Sequence, residues 1–198
     1  LFRSAGEIEY TNYFLTDEFN DKAESAIAGF KILPSSFSWD YSMDGGGKLK
    51  DNIAYRGSTN SDGGHILAGA DGYYTITLNT ANNTATMVKY EGNVTNYGTI
   101  QIAGSFNEWA DTPMLPYNTE GVENHAWYYV MEVPAGDPIQ FKFKIAGSWD
   151  TSWGYGAEDG AINMYGKCDA GGKNIGLAEG KYVISFNDIT GAFSIVKL

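Results

Sequence analysis

Hydrophobic and polar positions alternate strictly from Ile139 to Ile145, in the order Ile-Gln-Phe-Lys-Phe-Lys-Ile. A period of two predicts a strand with Phe141, Phe143 and Ile145 on one face and Lys142 and Lys144 on the other. Thr99-Ile-Gln-Ile-Ala103 alternates in the same way, and Trp127 to Val133 reads as a further apolar strand. Pro134-Ala-Gly-Asp-Pro138 supplies a tight turn between that strand and the next.

The pattern recurs. Residues Gly63–Tyr90 lie on Gly171–Leu198 without a gap at a constant shift of 108, matching Gly64 with Gly172, Gly72 with Gly180, Tyr74 with Tyr182, Ile76 with Ile184, Asn79 with Asn187 and Val88 with Val196. Each copy reads as a strand, a polar turn (79–83 and 187–191) and a return strand. Short antiparallel strands at this spacing predict an all-β chain of two tandem Ig-like antiparallel β-sandwich modules, residues 1–95 and 96–198, with the boundary between Gly92 and Tyr97. The first module is divergent or truncated toward its N-terminus. Phe30-Lys31-Ile32 followed by Trp39 resembles the later Phe-Lys-Phe strand, whereas residues 16–28 read equally as a short helix or an irregular loop.

Composition narrows the partners. A formal net charge of −11 repels a phosphate backbone and anionic headgroups, which argues against nucleic acid and leaves neutral ligands favoured. No apolar run is long enough for a transmembrane helix. Cys168 is the single cysteine, so no intrachain disulfide can form. His65 and His125 are far apart with no cysteine cluster near them, and the expectation is no metal and no cofactor. No nucleophile elbow or phosphate loop occurs, and an acidic pair for glycoside hydrolysis cannot be picked out of 24 carboxylates. The chain therefore reads as a non-enzyme, with Asp150, Glu158 and Asp159 as solvated loop charges.

Chemistry that remains is aromatic. Gly104-Ser-Phe-Asn-Glu-Trp109 ends one strand in a turn bearing Trp, and Gly147-Ser-Trp149 ends the next, with Trp153 four residues on. Such residues either cap the core or form a flat platform for the apolar face of a sugar ring. Trp127 opens an apolar strand and reads as core. Lys142 either solvates its sheet face or donates to sugar hydroxyls beside the platform. The Lys173-Asn174 pair either stabilises a turn or contributes a cation and an amide to the same ligand. Two rings sharing a sugar would give a weak site, about millimolar to tens of micromolar.

The segments Gly104–Trp109, Phe141-Lys-Phe143 and Gly147-Ser-Trp149 resemble the starch- and glycogen-binding modules found beside amylases and in glycogen-sensing kinase subunits. The tandem arrangement, with Gly171-Gly-Lys-Asn-Ile175 and Gly180-Lys-Tyr182 ahead of a terminal hairpin, is similar to the SusE/SusF family of bacterial outer-membrane starch-binding lipoproteins. The resemblance covers 97–198 well and 30–90 in part. It implies an α-glucan ligand held by Trp109, Trp149, Lys142, Lys173 and Asn174, to which the turn position read above adds Trp153, together with a cell-surface location and partner proteins of a glycan-uptake system. It also implies anchorage through a lipidated N-terminal cysteine, which this chain does not contain, Cys168 being internal. A structural or adhesion spacer and a binder of a non-starch glycan are the alternatives.

Overall fold

A computed structural model describes residues 2–4, 7–14, 47–48, 53–56, 66–67, 71–79, 84–117 and 124–198. The chain divides into two compact units, one of residues 6–92 and one of residues 93–198 together with 1–5. Phe30–Ile32, Trp39 and residues 16–28 lie outside the described residues.

Strand β1 (Phe2–Ser4) is grouped with the C-terminal unit. The N-terminal unit holds β2 (Glu7–Phe14), β3 (Gly47–Lys48), β4 (Ile53–Arg56), β5 (Ile66–Leu67), β6 (Gly72–Asn79) and β7 (Thr84–Lys89). Strands β2, β6, β7 and β4 form an antiparallel sheet in that order, and β3 pairs with β5 in parallel.

In the C-terminal unit the strands are β8 (Ile100–Gly104), β9 (Thr112–Pro113), β10 (Leu115–Pro116), β11 (Ala126–Val133), β12 (Ile139–Ile145), β13 (Ser152–Gly154), β14 (Ala161–Ile162), β15 (Tyr165–Lys167), β16 (Asp169–Ala170), β17 (Ile175–Leu177), β18 (Gly180–Asn187) and β19 (Ala192–Lys197). One sheet runs β10-β11-β18-β19-β15. In the other, β17 and β13 share one edge of β12 while β8 takes the opposite edge and carries β9. The protein is thus all-β and mainly antiparallel, and this unit is a β-sandwich.

The alternation of β12 explains its place. Phe141 and Phe143 are fully buried between the sheets, and Phe143 stacks on Phe186 with centroids 4.2 Å apart. Ile100, Ile102, Ile175 and Leu177 join them from the same sheet; Trp127, Met131, Tyr182, Ile184, Phe186 and Phe193 come from the other. Trp127 is core, as its strand position predicts. Emptying the Phe143 site would cost about 3–5 kcal/mol.

The two hairpins share a register. Tyr74 faces Lys89 and Ile76 faces Met87; Tyr182 faces Lys197 and Ile184 faces Ile195, all at the shift of 108. The strand preceding each hairpin follows a different spacing. Glu7 stands opposite Asn79 and Ala126 opposite Asn187, a displacement of 119 (7 to 126). That extra length explains why the gapless sequence match does not extend upstream.

Candidate functional site

Each residue of the Gly104–Trp109 segment has a separate structural task. Gly104 lies so close to the neighbouring strand that a Cβ would meet the Gln140 carbonyl oxygen at 2.3 Å. Ser105 Oγ accepts the Gln140 backbone N–H at 3.0 Å, and Phe106 packs against the core beside Tyr129. Ser105–Asn107 then make one 3-10 turn. Asn107 closes it: its Oδ1 accepts the Gly104 N–H at 2.9 Å, and its Nδ2 donates to Ala110 O at 2.6 Å and Thr112 Oγ1 at 2.8 Å. Glu108 and Trp109 follow in the left-handed region, φ 56° and 63°. Two successive non-glycine residues there store strain that the surrounding hydrogen bonds must hold. Trp109 N–H donates to Gly104 O at 2.8 Å.

Strands β8 and β12 are antiparallel, so the turns that follow them leave from opposite ends of the sheet. The two tryptophans meet because the chain after Trp109 doubles back. Thr112 pairs with Ile102 and Pro113 with Gln101, whose other neighbour is Lys144 near the end of β12. The Trp109 and Trp149 rings end with centroids 6.0 Å apart and planes inclined at 60°. Trp109 is half-buried and Trp149 is 45% exposed. The flat platform expected from the sequence is therefore an angled pair.

Beneath Trp149 lies Lys144, whose Nζ is 4.9 Å from the ring centroid. Lys144 is 2% exposed and forms a salt bridge with Asp111. Asp111 Oδ2 also accepts the Gly147 N–H at 2.6 Å, with Gly147 in the left-handed region at φ 69°. These hydrogen bonds hold the Asp111 carboxyl below its usual range, the Lys144 bond contributing most. Neither Lys144 nor Asp111 stood out in the sequence. The one available signal was that Lys144 shares its strand face with Lys142.

Farther along that face is a second polar group. Asn174 Nδ2 donates to Gln140 Oε1 at 3.0 Å, and Asn174 N–H donates to Asp159 Oδ1 at 3.0 Å. Lys173 pairs with Asp159 at 3.7 Å. Asp159 is thus an anchor for the Lys173-Asn174 segment, not merely a solvated loop charge. Gly154 permits the approach of that segment, since a Cβ there would meet Lys173 O at 2.1 Å. Lys142 lies between Gln140 and Lys144 on β12, in a row about 13 Å long at ordinary strand rise. Burial pushes the Lys142 ammonium down from the usual lysine range, with the Asp159 carboxylate opposing. Among the described residues it has no ion-pair partner.

Trp153 requires a correction. It is 8% exposed, its neighbour across the ladder is Phe143, and its ring lies 5.3 Å from both Phe186 and Tyr97. A ring covered by the core has no face for a ligand, so Trp153 leaves the candidate set. Trp109 and Trp149 form one end of the arrangement, and Gln140, Asn174, Asp159 and Lys173 the other. No group of His, Cys, Asp and Glu suited to a metal occurs among the described residues.

The class defined by these features is an all-β sandwich with an aromatic pair, one ring exposed and one half-buried, and a polar row on one sheet. No protein-family model matches the chain, and no curated protein matches it significantly. Among solved structures, the crystal structure of SusF from Bacteroides thetaiotaomicron aligns with 17% identity and a TM-score of 0.39, over 98% of this chain and 48% of that one. The chain spans about half the length of that structure.

Proposed function

We propose that residues 96–198 are a carbohydrate-binding module that holds a neutral polysaccharide without cleaving it, and that the ligand is starch or a related α-glucan. The observation that carries this reading is the Trp109–Trp149 pair, two accessible indoles 6.0 Å apart and inclined at 60°. An inclined pair fits consecutive sugars of a chain that turns, whereas a ribbon-like glycan presents its rings in one plane and suits coplanar indoles. Covering about half of each ring contributes roughly 2 kcal/mol gross per tryptophan, which keeps the site weak after ordering costs.

Polar recognition follows from the row beside the rings. Lys142 carries a partly desolvated ammonium, which gains from a hydroxyl acceptor. The Asn174 amide is oriented by Gln140 and brings both a donor and an acceptor. Lys173 stands beside it. Together with Trp109 and Trp149 these residues form the proposed site, and the module of residues 1–95 is assigned none.

Electrophoresis through gels containing amylopectin or glycogen tests the reading. Retardation there, and not in gels containing a β-linked glucan, is expected. Free migration in every polysaccharide would remove the proposal; retardation only by β-linked glucans would remove the α-glucan assignment. Release of reducing sugar from a retained substrate would show catalysis instead. On the motif resemblance, the chain works at the outer face of an outer membrane with other proteins of a glycan-uptake system. Protease shaving of intact cells should then release it, and protection from the protease would contradict that location. Among the described residues no helix is long and apolar enough to cross a membrane.

A further inference from the structure

Beside the contact of their rings, the two tryptophan-bearing turns are joined through Asp111. This residue follows Trp109 by two positions in the first turn. Its carboxylate reaches the second turn at two points, the Gly147 backbone N–H through Oδ2 at 2.6 Å and the Lys144 ammonium through Oδ1. Lys144 in turn backs the Trp149 ring at 4.9 Å. Gly147 occupies a left-handed conformation two residues before Trp149, so the bond it donates fixes the path of the chain into that tryptophan.

Alternative tasks for the carboxylate fit less well. Each carboxylate oxygen already accepts from a protein donor of the second turn, so the group is oriented toward Lys144 and Gly147, and a sugar hydroxyl would have to share an oxygen with them. A purely stabilising role for an exposed ion pair would be worth little. The partner here is a lysine that is 2% exposed and enclosed beneath an aromatic ring, which is a costly place for an ammonium without a carboxylate beside it.

We propose that Asp111 is a positioning residue that sets the inclination of Trp149 against Trp109 through Lys144 and Gly147. Its importance for glycan binding rests on the function proposed above; its effect on the ring pair does not. Indoles 6.0 Å apart couple electronically, so the folded protein should give an exciton couplet in far-ultraviolet circular dichroism. The Trp149→Ala variant must abolish that couplet, which assigns it to the pair.

The test compares Asp111→Ala and Lys144→Met with the unaltered chain by circular dichroism, thermal melting and affinity electrophoresis in glycogen. Both variants should lose or invert the couplet while keeping a cooperative melt, and both should weaken glycogen retardation by about tenfold or more. Lys144→Met keeps the apolar stem under the ring and loses only the ammonium, so it serves where Asp111→Ala fails to fold. An unchanged couplet in a folded variant would overturn the proposal. A changed couplet with unchanged glycogen affinity would overturn the link to binding. If the unaltered chain binds no glycan, the functional reading fails alone, and the couplet still decides what Asp111 does.

Discussion

Trp149 and Trp153 are four residues apart and have opposite fates: the first is 45% exposed beside Trp109, and the second is 8% exposed against Phe186. Strand β13 causes the difference, because Trp153 pairs across from Phe143 and so enters the core, while Trp149 remains in the preceding turn. Trp153→Ala should cost about 3–5 kcal/mol of stability, seen as a large fall in melting temperature. Trp149→Ala should melt within a few degrees of the parent and lose at least about tenfold in glycan retardation. N-bromosuccinimide should consume Trp149 in the folded protein and spare Trp153. The opposite order would exchange their roles.

Lys142 offers a sharper separation of binding from folding. Its ammonium is destabilised by burial, so its folded pKa lies below the unfolded value and the charged form weakens the native state below that range. Lys142→Met should therefore leave the melting temperature unchanged or raise it at neutral pH while reducing glycan retardation. A marked drop in melting temperature would show that the ammonium supports the fold.

Acid should act on Asp111. Its folded pKa is lowered from 3.8, so its contribution is fully present above that value and is lost as pH falls through the lower folded one. Glycan retardation and the indole couplet should be flat from neutrality down to about pH 4 and decline together below it. Decline beginning near pH 6 would implicate another group.

Asp188, buried in the turn between β18 and β19, accepts from two side chains, His125 Nδ1 at 2.6 Å and Trp127 Nε1 at 2.8 Å. Burial raises its pKa despite both bonds, the desolvation outweighing them. Asp188→Ala strands two enclosed donors and should cost about 3–5 kcal/mol, read by chemical denaturation. Asp188→Asn, which retains one acceptor oxygen, should lose less. Equal losses would show that the charge matters more than the hydrogen bonds.

Asn107 should matter to presentation of Trp109 more than to the core. Asn107→Ala removes three hydrogen bonds that hold Glu108 and Trp109 at positive φ. Hydrogen exchange should rise at the Trp109 and Ala110 amides while Phe141 and Phe143 stay protected, with about 1–2 kcal/mol lost overall.

Where a side chain's fate follows from its own strand, the sequence was readable. Alternation placed Phe141 and Phe143 inside with Lys142 and Lys144 on the opposite face, and it matches the limits of β12, Ile139–Ile145, but it gave no sign that Lys144 is buried beneath Trp149. Trp153 was misjudged because a three-residue strand in a glycine-rich stretch shows no period; its inward side is set by pairing with β12. Asp111 and Lys144 were invisible for another reason. Their contact depends on the chain folding back along β8, a long-range pairing with no local signal. Strand β2 was legible and overlooked, since Glu-Ile-Glu-Tyr-Thr-Asn-Tyr-Phe carries aromatic and β-branched residues throughout.

The turn that Asn107 braces also has a kinetic meaning. A ring whose backbone is already locked in place needs no loop closure when a ligand arrives, so encounter and release should both be quick. Rapid turnover of individual contacts lets a long polymer slide from one surface to the next without being trapped. Under the binding role proposed above, such a pre-set contact exchanges its ligand quickly in preference to holding it.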